Sequence, residues 1–308
     1  MSYDSIVCVK QVPDTANITA EAMKEDGTVN RAALPTIFNP EDLHALETAL
    51  EVRDIYGGTV TVLTMGPPKA ADVLRDCLYR GADRAILLTD RRAAASDTLA
   101  TSYILAQAIR TIGRYDFVFC GRQAIDGDTA QVGPQCAEKL GIPQITYLEK
   151  LVKLEDHTVQ IRRNFGHGWE VVEGRLPVLV TVVESANEPR PPAVRRVMRL
   201  KRARVPAEVA AEVAAEAKEA MPQATEEQLA AETQRRIEAL QQKGLLLEQW
   251  DLDRIGADLN RCGLAGSPTK VFRIQAIVLT KSGYTEIPAT QAGVTQLVHE
   301  LVVEHTLG

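Results

Sequence analysis

Along the first half of the chain, short apolar runs alternate with stretches whose apolar residues recur roughly every three to four positions. The runs at residues 5–12, 59–64, 85–89 and 117–120 are rich in Val, Ile, Leu and Phe and are bounded by polar residues or glycine, which predicts strands. Between them the periodicity predicts helices. Pro40 opens one with Leu43, Leu46, Leu50 and Ile55 on one side. Pro68 opens a second carrying Ala71, Leu74 and Leu78, which Gly81 stops. Ser96 or Asp97 caps a third, and a fourth starts near Thr129 and ends at Gly141. Nearly continuous apolar strands alternating with helices predict a parallel sheet covered on both faces. The expected class is therefore α/β, a Rossmann-like nucleotide-binding sheet.

Past Pro143 the pattern changes. Residues 145–152, 158–164 and 170–172 read as strands joined by turns at Glu155-Asp156-His157 and Gly166-His167-Gly168, and residues 176–183 as a further apolar strand. This β-rich extension completes the sheet, and a nucleotide-binding domain is expected over residues 1–186. Asn187-Glu188-Pro189-Arg190-Pro191-Pro192 then interrupts regular structure. With seven basic residues from Arg190 to Arg204, the stretch 187–205 reads as a solvated basic linker or a docking surface for an acidic partner. Residues 206–221 are Ala/Glu-rich with a thin stripe of Val209, Val213 and Ala217, and Pro222 breaks them. Thr225 followed by Gln228 is a capping box, opening a helix with Leu229, Thr233, Ile237 and Leu240 on one face and Gly244 as its stop. Residues 206–243 are thus expected to be an inserted antiparallel helical hairpin. Residues 244–308 read as a C-terminal arm, loop-like at 263–271 and helical at 291–305.

A length of 308 residues suggests about two domains. Lys+Arg 35 against Asp+Glu 41 gives a net charge of −6, which excludes broad coating of nucleic acid. Five scattered cysteines (Cys8, Cys77, Cys120, Cys136 and Cys262) include no C-x-x-C pair, so reduced thiols and a cytoplasmic location are expected. The beginning of the chain lacks the pattern of a signal peptide, and no apolar run is long enough to span a membrane. The histidines His44, His157, His167, His299 and His305 do not cluster, and no G-x-G-x-x-G, P-loop, G-x-S-x-G or H-E-x-x-H motif occurs. Neither a metal centre nor a catalytic nucleophile is expected.

The informative stretch runs from Gly121 to Pro134. It follows a buried strand and precedes a helix, where open α/β sheets bind ligands. Gly127 permits a tight turn. Thr129 is placed to cap the helix, leaving the N–H groups of Ala130, Gln131 and Val132 for a phosphate or pyrophosphate. The same Asp-Gly-Asp-Thr run also makes an ordinary capped turn. The loops at 10–15 and 64–68 also follow strands, so three turns are expected to converge on one sheet edge.

Val9-Lys10-Gln11-Val12-Pro13-Asp14, Asn39-Pro40, Met65-Gly66-Pro67, Gly81-Ala82-Asp83-Arg84, the 121–134 stretch and Asn187-Glu188-Pro189-Arg190 occur in this order, followed by Gly-Leu-Ala-Gly-Ser-Pro-Thr-Lys-Val at 263–271. This set resembles the β subunit of the electron transfer flavoproteins over nearly the whole chain outside 206–243. The resemblance implies an α-subunit partner that carries FAD, a C-terminal arm embracing it, and an adenine nucleotide in the β crevice. Carried over by position, the crevice walls would be Cys8, Asn39, Met65 and Gly66, together with Arg122, Gln123, Ala124, Ile125, Asp126 and Gly127, continuing through Asp128, Thr129, Ala130, Gln131, Val132 and Gly133.

In ordinary members of that family the nucleotide is AMP, a structural ligand. In the bifurcating members it is a second FAD, which takes hydride from NADH and divides the electrons. One goes to a low-potential acceptor such as ferredoxin, the other through the α-subunit FAD to an acyl-CoA-dehydrogenase-like or other dehydrogenase. The segment 122–135 resembles the bifurcating members, and AMP-binding members carry Asp at the Gly127 position, so FAD is the expected ligand and AMP the alternative. Arg122 is expected beside the flavin or phosphates, or else paired with Asp126 or Asp128. Ala186 and Pro191 stand where the family has a large apolar and an aromatic residue, which argues against docking through that anchor. The inserted helices at 206–243 are then either a substitute contact or a solvent-facing insertion. A reading of another class is a stand-alone adenine-nucleotide sensor resembling the universal-stress-type proteins. An arm with little core of its own speaks against it.

Overall fold

The apolar runs do become strands, and their order in space creates the site. The computed structural model describes residues 2–14, 34–220, 223–269 and 286–303. The central strands are β1 (Ser5–Cys8), β4 (Val60–Met65), β5 (Arg84–Leu88), β6 (Phe117–Gly121) and β10 (Val178–Val182), with β7 (Gln144–Glu155), β8 (Thr158–Asn164), β9 (Trp169–Arg175) and β11 (Glu248–Trp250) outside them. A separate small ribbon pairs β2 (Gln11–Pro13) with β3 (Thr36–Phe38). The nine-stranded sheet runs β11-β5-β4-β1-β6-β10-β7-β8-β9. From β11 to β7 every neighbouring pair is parallel, and β7–β8–β9 is an antiparallel meander. The chain winds from β1 towards β4 and β5 on one side, then returns to lay β6 and β10 on the other. The reversal falls between β1 and β6, and such a switch point opens a crevice beyond the carboxyl ends of the two strands.

Helices α1 (Pro40–Tyr56) and α2 (Ala71–Arg80) cover one face, burying Leu46, Leu50 and Leu74 over Val7, Phe117 and Phe119. Helices α3 (Thr98–Ile112) and α4 (Val132–Leu140) cover the other, where Ile104 and Ile109 pack with Ile6, Val118 and Leu179. Asp97 caps α3 by accepting the Ala100 N–H at 2.9 Å. The α/β class expected from the apolar pattern is the class observed.

Several elements differ from the sequence reading. The strand expected over 5–12 breaks after Cys8, because the Lys10 N–H is drawn to the Asp42 carboxylate at 2.8 Å and the chain leaves the sheet. Ile55, expected on the buried side of α1, is 73% exposed on its last turn. Residues 187–205 are not a solvated linker. Arg190 is bound by Glu47 and Asp54, Ala193 donates to the Tyr79 carbonyl at 2.9 Å, and α5 (Val194–Leu200) follows. The sheet also reaches past residue 186, since β11 lies in the segment expected to begin the arm and pairs with β5.

The inserted hairpin is present as α6 (Pro206–Ala220) and α7 (Glu226–Gln242), with Val209, Val213 and Ala217 buried and the Thr225/Gln228 capping box formed. Glu208 ties it to Arg75 at 2.8 Å. The expected end of its first helix at Met221 and the break at Pro222 lie outside the described residues. So do Lys270 and Val271 of the expected loop and the end of the last helix at His305, which is seen as α8 (Gln291–Val303). Among the described residues no helix is long and apolar enough to cross a membrane.

Phe119 is fully buried at the centre of the sheet and stacks on Phe117 with centroids 5.1 Å apart. Phe119→Ala is expected to cost about 3–5 kcal/mol of stability, read as a lower urea midpoint at unchanged slope. A loss under about 1 kcal/mol would contradict this packing.

Candidate nucleotide crevice

The carboxyl ends of β4, β1 and β6 lie side by side, so the loops that follow them meet at one edge. The first turn of α1 and the residue before it pin the loops after β1 and β6. Asn39 precedes the helix and is fully buried. Its side chain donates to the Gln123 carbonyl at 2.9 Å and accepts the Ile125 N–H at 3.2 Å. Buried Glu41 accepts the Gln123 N–H at 2.9 Å and the Arg122 guanidinium at 2.7 Å. Buried Asp42 accepts the Lys10 N–H at 2.8 Å and the Gly121 N–H at 3.1 Å. Burial pushes the Asp42 carboxyl up to about 7, against the downward pull of Asn39 and of these two backbone donors. The approach at Gly121 is close: a Cβ there would lie 2.5 Å from Asp42 Oδ1 and 2.7 Å from the Glu41 carbonyl carbon.

The loop beyond β6 departs from its expected form in three ways. Arg122 pairs with Glu41 and with neither Asp126 nor Asp128. It is Lys10 that spans the crevice, donating to both Asp126 carboxylate oxygens at 2.6 and 2.8 Å. Gly127 is not the residue that turns the chain. The left-handed backbone falls on Asp128 (φ 50°) and Ala130 (φ 53°), while a Cβ at Gly127 would meet nothing within 4 Å.

Thr129, finally, does not cap the helix. The first turn of α4 begins at Val132 behind Gln131, with the Gln135 N–H donating to the Gln131 carbonyl at 3.0 Å. Pro134 explains the delay. A helix capped at Thr129 would need a bond from residue 134 back to the Ala130 carbonyl, and proline has no N–H to give.

The outcome for the backbone is a run of donors. Among the described residues the amides of Thr129, Ala130, Gln131, Val132 and Gly133 have no acceptor. Ala130 is left-handed in φ, and Gln131 follows in the right-handed region at φ −96°, ψ −29°. This alternation turns successive N–H groups to one side, making an anion-binding nest, here set ahead of a helix N-terminus. A left-handed alanine costs about 1–2 kcal/mol, strain of the kind that persists at ligand sites.

The sequence-predicted residues sort accordingly. Cys8 closes β1 and Met65 closes β4, both half-buried against the α3/α4 core, and Gly66 donates to the Leu88 carbonyl at 3.0 Å. Asn39 and the Arg122–Gly133 segment come together at the switch point. Thr15, at the end of the first expected loop, lies outside the described residues. Lys10, Glu41 and Asp42 were missed as site residues. Their signal is a proline at the first helical position followed by two acids, directly after a turn at a strand end. Among the described residues no group of His, Cys, Asp and Glu could hold a metal ion.

The chain matches the electron transfer flavoprotein domain over residues 26–214. It is 50% identical over 309 residues to the electron transfer flavoprotein subunit beta of Megasphaera elsdenii, covering 97% of this chain and 98% of that one. It is 43% identical over 278 residues to protein FixA of Azorhizobium caulinodans (88% and 83% covered). With the caffeyl-CoA reductase-Etf complex subunit CarD of Acetobacterium woodii it shares 39% identity over 269 residues (87% and 86% covered). A doubly wound, mostly parallel sheet covered by helices on both faces, with an amide-lined crevice at its switch point, defines an α/β protein of the doubly wound class. Within that class the chain belongs to the electron transfer flavoprotein family, as a β subunit.

Two outcomes test this geometry. With Asp42 near 7 when folded and near 4 when unfolded, the native state holds the extra proton between these values, so its contribution to stability falls as pH rises from about 4 to about 7 and is constant above. The stability difference between wild type and Asp42→Asn should therefore drift against wild type across that window, by a few kcal/mol, in denaturant titrations at stepped pH. A difference independent of pH would contradict a buried, protonatable Asp42. Ala130→Gly should raise stability by up to about 1 kcal/mol by relieving the left-handed alanine. A net loss would mean that residue 130 is unstrained.

Proposed function

We propose that this chain is the β subunit of a heterodimeric electron transfer flavoprotein of the electron-bifurcating type, with FAD held in the switch-point crevice. The observation that carries the reading is the run of unbonded amides from Thr129 to Gly133, bent into a nest at a helix N-terminus. It suits a diphosphate because Lys10 and Arg122 are already neutralised by Asp126 and Glu41, leaving backbone dipoles to meet the anion. Asn39, Glu41 and Asp42 hold the loop from below. Cys8 and Met65 supply the half-buried floor. When bound, the flavin supplies acceptance of hydride from NADH and passage of single electrons to two acceptors, ferredoxin-like and dehydrogenase-linked. The chain contributes binding, orientation and local electrostatics, with no nucleophile or general base required of it.

The arm supports a partner subunit. Helix α8 leaves Val294, Leu297, Val298 and Val302 exposed along one side, an apolar face that a lone protein does not keep in water. This favours pairing with an α subunit over a stand-alone nucleotide sensor. CarD, by its name a subunit of a caffeyl-CoA reductase-Etf complex, is a relative consistent with a dehydrogenase-linked assembly.

Acid release of the nucleotides from the purified αβ complex is expected to yield two FAD per heterodimer, and NADH oxidation should require a low-potential and a high-potential acceptor together. One FAD with one AMP would overturn the bifurcating reading and leave the phosphate seat intact.

A further inference from the structure

Three of the five cysteines gather beneath the crevice. Cys8 is the last residue of β1 and Cys120 is its in-register partner on the adjacent parallel strand β6. Both side chains join the α3/α4 core, so they lie on the same face of the sheet. Neighbouring strands run about 4.7–4.9 Å apart, and disulfides span Cα separations of roughly 4.4–6.8 Å, so this register sets the two cysteines side by side at a backbone separation a disulfide can span. Cys8 ends its strand where the chain turns out of the sheet. It is also the one cysteine that is not buried.

The other three thiols have packing roles. Cys136 donates to the Ser102 carbonyl at 3.5 Å, Cys262 donates to the Asp258 carbonyl at 3.3 Å, and Cys77 is fully buried in the core on the α1/α2 side of the sheet. We propose that Cys8 and Cys120 form a peroxide-reactive dithiol at the floor of the crevice, with Cys8 the attacked thiol and Cys120 the resolving one. The neighbouring Cys8 thiol, followed by burial, holds the Cys120 thiol well up in its protonated form, and Cys8 is the less buried of the two, so Cys8 reacts first.

The chemistry is balanced with hydrogen peroxide as the oxidant. The Cys8 sulfur attacks one peroxide oxygen; an S–O bond forms, the O–O bond breaks, and the departing hydroxide takes the thiol proton as water. Sulfur is oxidised by two electrons and peroxide reduced by two, giving a sulfenic acid. The Cys120 sulfur then attacks the Cys8 sulfur. The S–S bond forms, the S–O bond breaks, and the second water leaves with the Cys120 proton.

The test is stoichiometric hydrogen peroxide added to the full chain in complex with its α subunit, followed by alkylation under denaturing conditions and peptide mass mapping. The expected result is the joint loss of two of the five free thiols and a Cys8–Cys120 linked peptide two hydrogens lighter, both reversed by dithiothreitol. In Cys120→Ser the reaction should stop at a Cys8 sulfenic acid that a 1,3-dione traps. Retention of all five thiols, or a link from Cys8 to Cys136, would overturn the assignment. The wild-type mapping decides the question even if the variant does not fold.

Discussion

Two buried carboxyl groups at the start of α1 hold the functional end of the molecule together. Glu41 and Asp42 sit in the interior, where a carboxylate without partners is strongly disfavoured. Their partners are the N–H groups of Lys10, Gly121 and Gln123, which belong to the exits of two adjacent strands. Satisfying the acids therefore draws the chain out of β1, forces a glycine at the end of β6, and sets the path of the loop that follows. The left-handed turns at Asp128 and Ala130 come at the far end of a segment fixed at its root by these bonds and by Asn39.

That arrangement gives the crevice an unusual charge balance. Each cation close to it is matched by a carboxylate, and the surplus of attraction for an anion lies in backbone dipoles. Dipoles fixed by the fold need no reorganisation to meet an anion.

Much of this could be read from sequence, for identifiable reasons. Strands buried on both faces announce themselves as apolar runs, which is why β4, β5 and β6 stand within a residue of where the pattern puts them. Local punctuation was equally informative at Pro40, at Asp97 and at the Thr225 capping box. The misreadings share a tertiary cause. Edge strand β11 is Glu-Gln-Trp, held by pairing to β5 and by the Arg84–Glu248 ion pair, with no periodicity of its own. Helix α5 is a short Val-Arg-Arg-Val-Met-Arg-Leu segment, and it forms where the chain docks against α2. The late start of α4 was legible in Pro134, whose missing N–H forbids the earlier turn. The three donors at Ala130, Gln131 and Val132 were correctly expected, though Gln131 and not Thr129 stands at the cap. The acids at 41 and 42 were visible as a helix start but not as buried groups, because charged residues there ordinarily face water.

A crystal structure of the αβ heterodimer with its native nucleotides tests the central claim most directly. Phosphate oxygens of the β-subunit nucleotide are expected within hydrogen-bond distance of the Ala130, Gln131 and Val132 amides. A nucleotide seated elsewhere, with those amides turned to water or to protein carbonyls, would contradict it.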